Sequence, residues 1–133
     1  MALVVSLALQ IGVNYANDYS DGIKGTDAVR VGPIRLVGSG LVSAKKVKIA
    51  AMLAFGVAAI FGLVIALTVS LWLIVVGVAS IAAGWLYTGG PKPYGYLGLG
   101  EVFVFVFFGI VATTGTTYAI SEQITGQSLA ASV

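Results

Sequence analysis

The 133-residue chain contains no cysteine and no histidine. The first absence excludes disulfides and thiolate chemistry. The second removes the commonest general base and the commonest transition-metal ligand. Charge is also scarce, at 9% of residues against about 25% in an ordinary soluble domain. The formal net charge of +2 is too small for a nucleic-acid binder. What remains for chemistry is carboxylates, Lys, Arg, Tyr or a hard metal ion.

What is abundant is apolar. Hydrophobic residues make up 59% of the chain and the mean hydropathy is +1.03. Apolar runs fall at 2–21, 47–68, 71–87 and 99–120. Each is near the ~20 residues that cross ~30 Å of hydrocarbon as a helix. They are too long, and alternate too little, for barrel strands. The predicted fold class is an all-α membrane protein, a bundle of four transmembrane helices in a bilayer. Loops at about 22–46 and 88–98 join the first helix to the second and the third to the fourth. Residues 68–70 make a tight turn between the second and third.

All seven basic residues lie in those two loops or just at their edges: Lys24, Arg30, Arg35, Lys45, Lys46 and Lys48 in one, Lys92 in the other. An antiparallel bundle puts both loops on one side, and the positive-inside rule makes that side cytoplasmic. The start, MALVVSLALQ, has no basic n-region, which argues against a signal peptide. The first helix then runs from outside to inside, and the chain reads as a fragment lacking material at both ends.

Within the first apolar run sits QIGVNYANDYSDG, residues 10–22. On a helix of 100° per residue, Gln10, Asn14, Asn17, Asp18 and Asp21 share an arc of roughly 100°. A carboxylate inside the bilayer costs at least about 2.5 kcal/mol, and two on adjacent turns repel unless a cation lies between them. Oxygen ligands without His or Cys select Mg2+ or Ca2+. Asp18 and Asp21 are the candidate metal ligands, and Asn14 and Asn17 the residues that orient water or substrate oxygens. The competing reading is a solvated cap at the membrane interface. It is weakened by the helix dipole, which disfavours carboxylates at a C-terminal end.

The loop that follows, GIKGTDAVRVGPIRLVGSG (residues 22–40), combines glycines with Lys24, Asp27, Arg30 and Arg35. Arginine forks suit phosphate oxygens, and glycine admits a close backbone approach. Lys45, Lys46 and Lys48 are equally explained as topology charges. In the second loop, Tyr94 and Tyr96 could face a developing cation or belong to an interfacial aromatic belt. Lys92 could touch phosphate or set topology. Glu101 opens the fourth helix, where its charge suits the dipole; a part in handling an acceptor is open as well. The run 113–117 in the fourth helix reads as interhelical glue.

Three blocks, NYANDYSDGIKGTD, RVGPIRLVGSG and YTGGPKPYGYLGLGEVFVFVFFG, resemble the 1,4-dihydroxy-2-naphthoate polyprenyltransferases of menaquinone synthesis, within the UbiA superfamily of intramembrane prenyltransferases. The resemblance implies a nine-helix bundle, of which these four would be helices two to five, in a bacterial plasma membrane. It implies Mg2+ and two substrates, a polyprenyl diphosphate and 1,4-dihydroxy-2-naphthoate. The family's first Asp-rich motif maps onto Asn17, Asp18 and Asp21, with Asp27 as its further Asp, binding a second metal or orienting an arginine. By this resemblance Asp18, Asp21, Asp27, Tyr94 and Glu101 are the candidate catalytic residues. Asn14, Asn17, Lys24, Arg30, Arg35, Lys92 and Tyr96 are the candidate substrate contacts. The family's second Asp-rich motif is missing here, so this chain would hold half of a site completed by a C-terminal half. The alternatives are a prenyltransferase of the same superfamily with another aromatic acceptor, such as homogentisate or 4-hydroxybenzoate, and a transporter fragment binding a translocated cation; against the transporter, above Gln10 the stripe continues only to Ser6.

Overall fold

The computed structural model describes residues 1–26 and 32–133. The described residues are helical, with no strand among them. Helix α1 is Ala2–Lys24, α2 Ala44–Thr68, α3 Trp72–Leu86 and α4 Gly100–Ser121; a short α5, Gly126–Ala130, follows. Gly25 ends α1 in the left-handed conformation, with φ 73°, and donates its N–H to the Asp21 carbonyl. That conformation is cheap for glycine, which has no Cβ to clash. The α5 helix is set by a capping box: Thr125 Oγ1 accepts from Ser128 N, and Ser128 Oγ accepts from Thr125 N, each at 3.1 Å.

Small residues bring α1 and α2 together. Ala8, Gly12, Ala16 and Ser20 recur every fourth residue and are all buried. This period keeps them on one side of α1, where the lack of bulk lets two helix backbones approach. Opposite them lie Ala51, Phe55 and Ala58 of α2, also buried. Phe55 fills the junction, and Leu9, Val13, Ile81 and Trp85 pack around it. Gly84 brings α3 into the same contact: a Cβ there would fall 2.6 Å from the Val13 side chain.

Elsewhere the apolar side chains face outward. Leu53, Ile60 and Leu67 of α2 are each about two-thirds exposed, and Trp72 of α3 is 77% exposed. An apolar surface of this extent suits lipid and not water. Among the described residues, α2 and α4 are long and apolar enough to cross a bilayer. Four spans were anticipated. Two helices meet the criteria of length and composition, α3 is only 15 residues long, and α1 is diluted by its amides and carboxylates. These features fit a membrane bundle.

Helix α4 is irregular. Between regular turns at Gly100–Val104 and Ala112–Ser121, residues Phe105–Val111 form π-helical turns. Such turns are rare and gather at functional sites. Nothing in the sequence FVFFGIV announced them.

The close α1–α2 contact makes a sharp stability prediction. Gly12→Ala would set a methyl group 2.8 Å from the buried Phe55 ring, and overpacking of this kind costs about 1–3 kcal/mol. Gly56→Ala meets open space and gains about 0.5–1 kcal/mol of helix propensity. Thermal unfolding in detergent should therefore move in opposite directions for the two variants.

Candidate active site

A half-open cavity of about 740 Å3 lies between α1, α3 and α4, with Gly62 and Ile65 of α2 also in its lining. It extends along α1 from Ala2 to Asn17, about 22 Å at 1.5 Å per residue. The wall is apolar over most of this length. At one end stand the amides Gln10, Asn14 and Asn17, facing Tyr87 and Tyr94. An aromatic row follows into α4. Tyr87 meets Tyr94 edge-on at 5.5 Å, Tyr94 stacks on Phe103 at 4.0 Å, and Phe103 stacks on Phe107 at 6.0 Å.

Beyond the amide end, the C-terminal turns of α1 meet the second loop. Lys24 Nζ donates to the Thr88 carbonyl at 2.6 Å and lies 5.0 Å from the Tyr96 ring centre. Thr88 Oγ1 donates to Asn17 Oδ1 at 2.8 Å, and the Tyr96 hydroxyl donates to Asp21 Oδ1. Thr88 is buried. Its hydroxyl and carbonyl tie two α1 side chains to a loop about 70 residues away. Sequence reasoning passed over Thr88, because a lone threonine beside two glycines carries no periodic or charge signal.

The arc predicted to hold five polar residues divides in space. Gln10, Asn14 and Asn17 line the cavity. Asp21 is held by Tyr96 outside the cavity lining. Asp18 is only 5% exposed, and its two oxygens accept from the backbone amides of Leu36 and Val37, each at 3.0 Å. The helical wheel places Asp18 at one edge of the arc, on the side of Gly22 and opposite the edge held by Asn17.

The remaining candidates fall as follows. Arg35 is half-buried, and its Nε is enclosed without a hydrogen-bond partner among the described residues. Asn14 donates to the Gln10 carbonyl at 2.8 Å. Lys92 and Glu101 are exposed and take no part in the α1–loop network. Asp27 and Arg30 lie outside the described residues. Tyr94 donates to the Ala83 carbonyl at 2.6 Å.

The model of the UbiA prenyltransferase family matches residues 1–133. The chain belongs to that family. Among UbiA proteins it is similar to the 1,4-dihydroxy-2-naphthoate octaprenyltransferase of Mycobacterium tuberculosis, with 57% identity over the whole chain and 46% of that protein. The protein of the same name from Mycobacterium leprae is 57% identical over 93% of this chain and 42% of its own length. The one from Escherichia coli is 36% identical over 89% of this chain and 41% of its own length. The chain thus spans less than half the length of these UbiA relatives. No solved structure matches it.

The UbiA resemblance implies a divalent cation, and the donor set tests the fit. Among the described residues no three acidic side chains gather. Mg2+ does not need three, since it commonly takes one or two carboxylates and completes its shell with water and phosphate oxygens. Asp21, half-buried at the end of α1, fits such a role. Asp18 fits less well, because both of its oxygens already accept backbone N–H groups.

Tyr94 yields a prediction about alkaline stability. Burial, and then the neighbouring Tyr87 phenol, push its hydroxyl above the ordinary value of 10.0. The folded state therefore holds this proton more tightly than the unfolded chain. The resulting stability is complete below pH 10 and is lost as pH rises through the folded value. Tyr94→Phe should cost about 1 kcal/mol at neutral pH through the lost bond to Ala83. It should also flatten the fall in thermal unfolding midpoint above pH 10.

Proposed function

We propose that this chain forms part of an enzyme that transfers a polyprenyl group from polyprenyl diphosphate to 1,4-dihydroxy-2-naphthoate, giving demethylmenaquinone in its reduced, quinol form. The observation that carries the reading is the cavity. A long apolar channel ending at amides and phenols suits a substrate with a hydrocarbon tail and a polar reacting head. The naphthoate specificity is supported by its relatives, which are 1,4-dihydroxy-2-naphthoate octaprenyltransferases.

In this reading the isoprenoid tail lies along the channel. Its diphosphate sits beyond Asn14 and Asn17, where Lys24 and Arg35 offset the charge that builds on the leaving group. The enclosed Nε of Arg35, which has no hydrogen-bond partner among the described residues, supports a role as an anion contact. Arg30 and Asp27 are proposed for the same region, on sequence grounds alone. Bound Mg2+ would supply further neutralisation of the diphosphate, with Asp21 as the proposed protein ligand.

The allylic C–O bond breaks and diphosphate leaves. The electron-rich naphthoate ring then forms the new C–C bond, and its carboxyl group departs as CO2. Tyr87 and Tyr94 border the amide end of the cavity, so their ring faces are proposed to stabilise the allylic cation. No step needs Lys92 or Glu101, whose exposed positions favour topology and dipole roles. The basic loops and the site are proposed to face the cytoplasm. The further acidic ligands of the diphosphate site are proposed to come from sequence beyond the share of the relatives that this chain spans.

The test is a prenylation assay on the full-length protein in detergent, with Mg2+ varied. Asp21→Asn should lower turnover about a hundredfold, equivalent to about 2.7 kcal/mol. Undiminished turnover after removal of divalent metal by a chelator would sink the metal assignment. Absence of prenylation by the wild-type protein would sink the activity.

A further inference from the structure

The basic turn at residues 35–40 is attached to α1 at two independent points. The first is Asp18. One oxygen accepts from Leu36 N and the other from Val37 N, both at 3.0 Å. Two consecutive backbone N–H groups converging on one centre make a concavity for an anion, and the buried carboxylate fills it. Hydrogen bonds to a charged acceptor are roughly twice as strong as neutral ones.

The second point is Gly22, one helical turn further along α1. A Cβ there would lie 2.4 Å from Val37 Cγ1 and 3.4 Å from Gly38 N. The turn thus rests on bare helix backbone. Asp18 and Gly22, four residues apart, present one face of α1 to it.

The turn is also braced internally. Ser39 N and Oγ both donate to the Arg35 carbonyl, at 3.1 and 2.5 Å. Gly40 N donates to Val37 O, and Val42 N to Leu36 O, each at 3.0 Å. The carbonyl of Arg35 is therefore held from within the turn, and the next two amides are held by Asp18. These restraints grip the peptide unit that leaves the Arg35 Cα and the one after it, so they fix the path of the chain directly beyond Arg35 and with it the place of that residue beside α1.

We propose that Asp18 is a positioning residue that clamps this turn to α1 and so places Arg35, with Gly22 as the second jaw, and that it is not a metal ligand. The structural half of the proposal stands alone. Its catalytic consequence rests on the prenyltransferase reading above.

Both halves are tested on the full-length protein in detergent. Limited trypsin digestion, read by mass spectrometry, reports cleavage after Arg35. Asn in place of Asp18 keeps one acceptor oxygen but turns an NH2 toward a backbone N–H. Asp18→Asn should therefore raise the cleavage rate about tenfold, since a released turn opens more often. Gly22→Ala, which touches no carboxylate, should raise it as well, and Asp21→Asn should leave it unchanged. In the prenylation assay with geranylgeranyl diphosphate, Asp18→Asn and Gly22→Ala should raise KM for the diphosphate. Their half-saturating Mg2+ concentration should match wild type, whereas Asp21→Asn should shift it.

Wild-type cleavage in both Asp18→Asn and Gly22→Ala overturns the clamp. A shift in Mg2+ dependence for Asp18→Asn, without one for Gly22→Ala, restores Asp18 as a metal ligand and also overturns the proposal. If Asp18→Asn does not fold, Gly22→Ala decides the clamp by digestion. A wild-type protein without prenylation activity removes the enzymatic reading, and the digestion still decides the clamp.

Discussion

Polar groups set among apolar helices must find partners, because lipid offers none. The interface between α1 and its two loops follows from this constraint. Asp18 meets it through the amides of Leu36 and Val37, Asn17 through Thr88, and Asp21 through Tyr96. In each case the partner is far away in sequence, so satisfying the polar group also folds a loop onto the helix. The group that is expensive to bury becomes the one that fixes the site's walls.

Three faces of α1 do three jobs. The small-residue face meets α2, the Asp18–Gly22 side meets the basic turn, and the Gln10–Asn14–Asn17 side opens to the cavity. Dividing the helix this way lets one element supply a tight interhelical contact and a polar end to an apolar channel. It also explains why α1 is the least hydrophobic of the long helices. The opposite case is α4, where Thr114 alone among Gly100–Ser121 is buried. The aromatic row of Phe103 and Phe107 joins that helix to the second loop through Tyr94.

Much of this was legible beforehand. Apolar runs of membrane length and the clustering of amides and carboxylates on one stripe follow from the cost of burying charge, and both can be read by counting. The family resemblance was equally plain, because three blocks recur in order. What the helical wheel could not do was split a 100° arc. Residues 40° apart can face a cavity or a loop, and only the path of residues 35–40 decides between them. Thr88 was invisible because its partners lie about 70 residues away. The Ala8–Gly12–Ala16 repeat was open to reading, but small apolar residues in an apolar run attract no notice until a neighbouring helix is in place.

The π-helical stretch Phe105–Val111 bears on how α4 is aligned with itself. A widened turn takes up about one more residue than an α-turn, so side chains beyond it are rotated by roughly 100° from where a uniform spiral would carry them. A wheel drawn straight through α4 therefore misassigns the threonines at 113, 114, 116 and 117. Loss of a single residue within the stretch would restore the regular spiral and swing that hydroxyl-bearing half away from its present neighbours. A change in the number of residues there would reorient everything that follows.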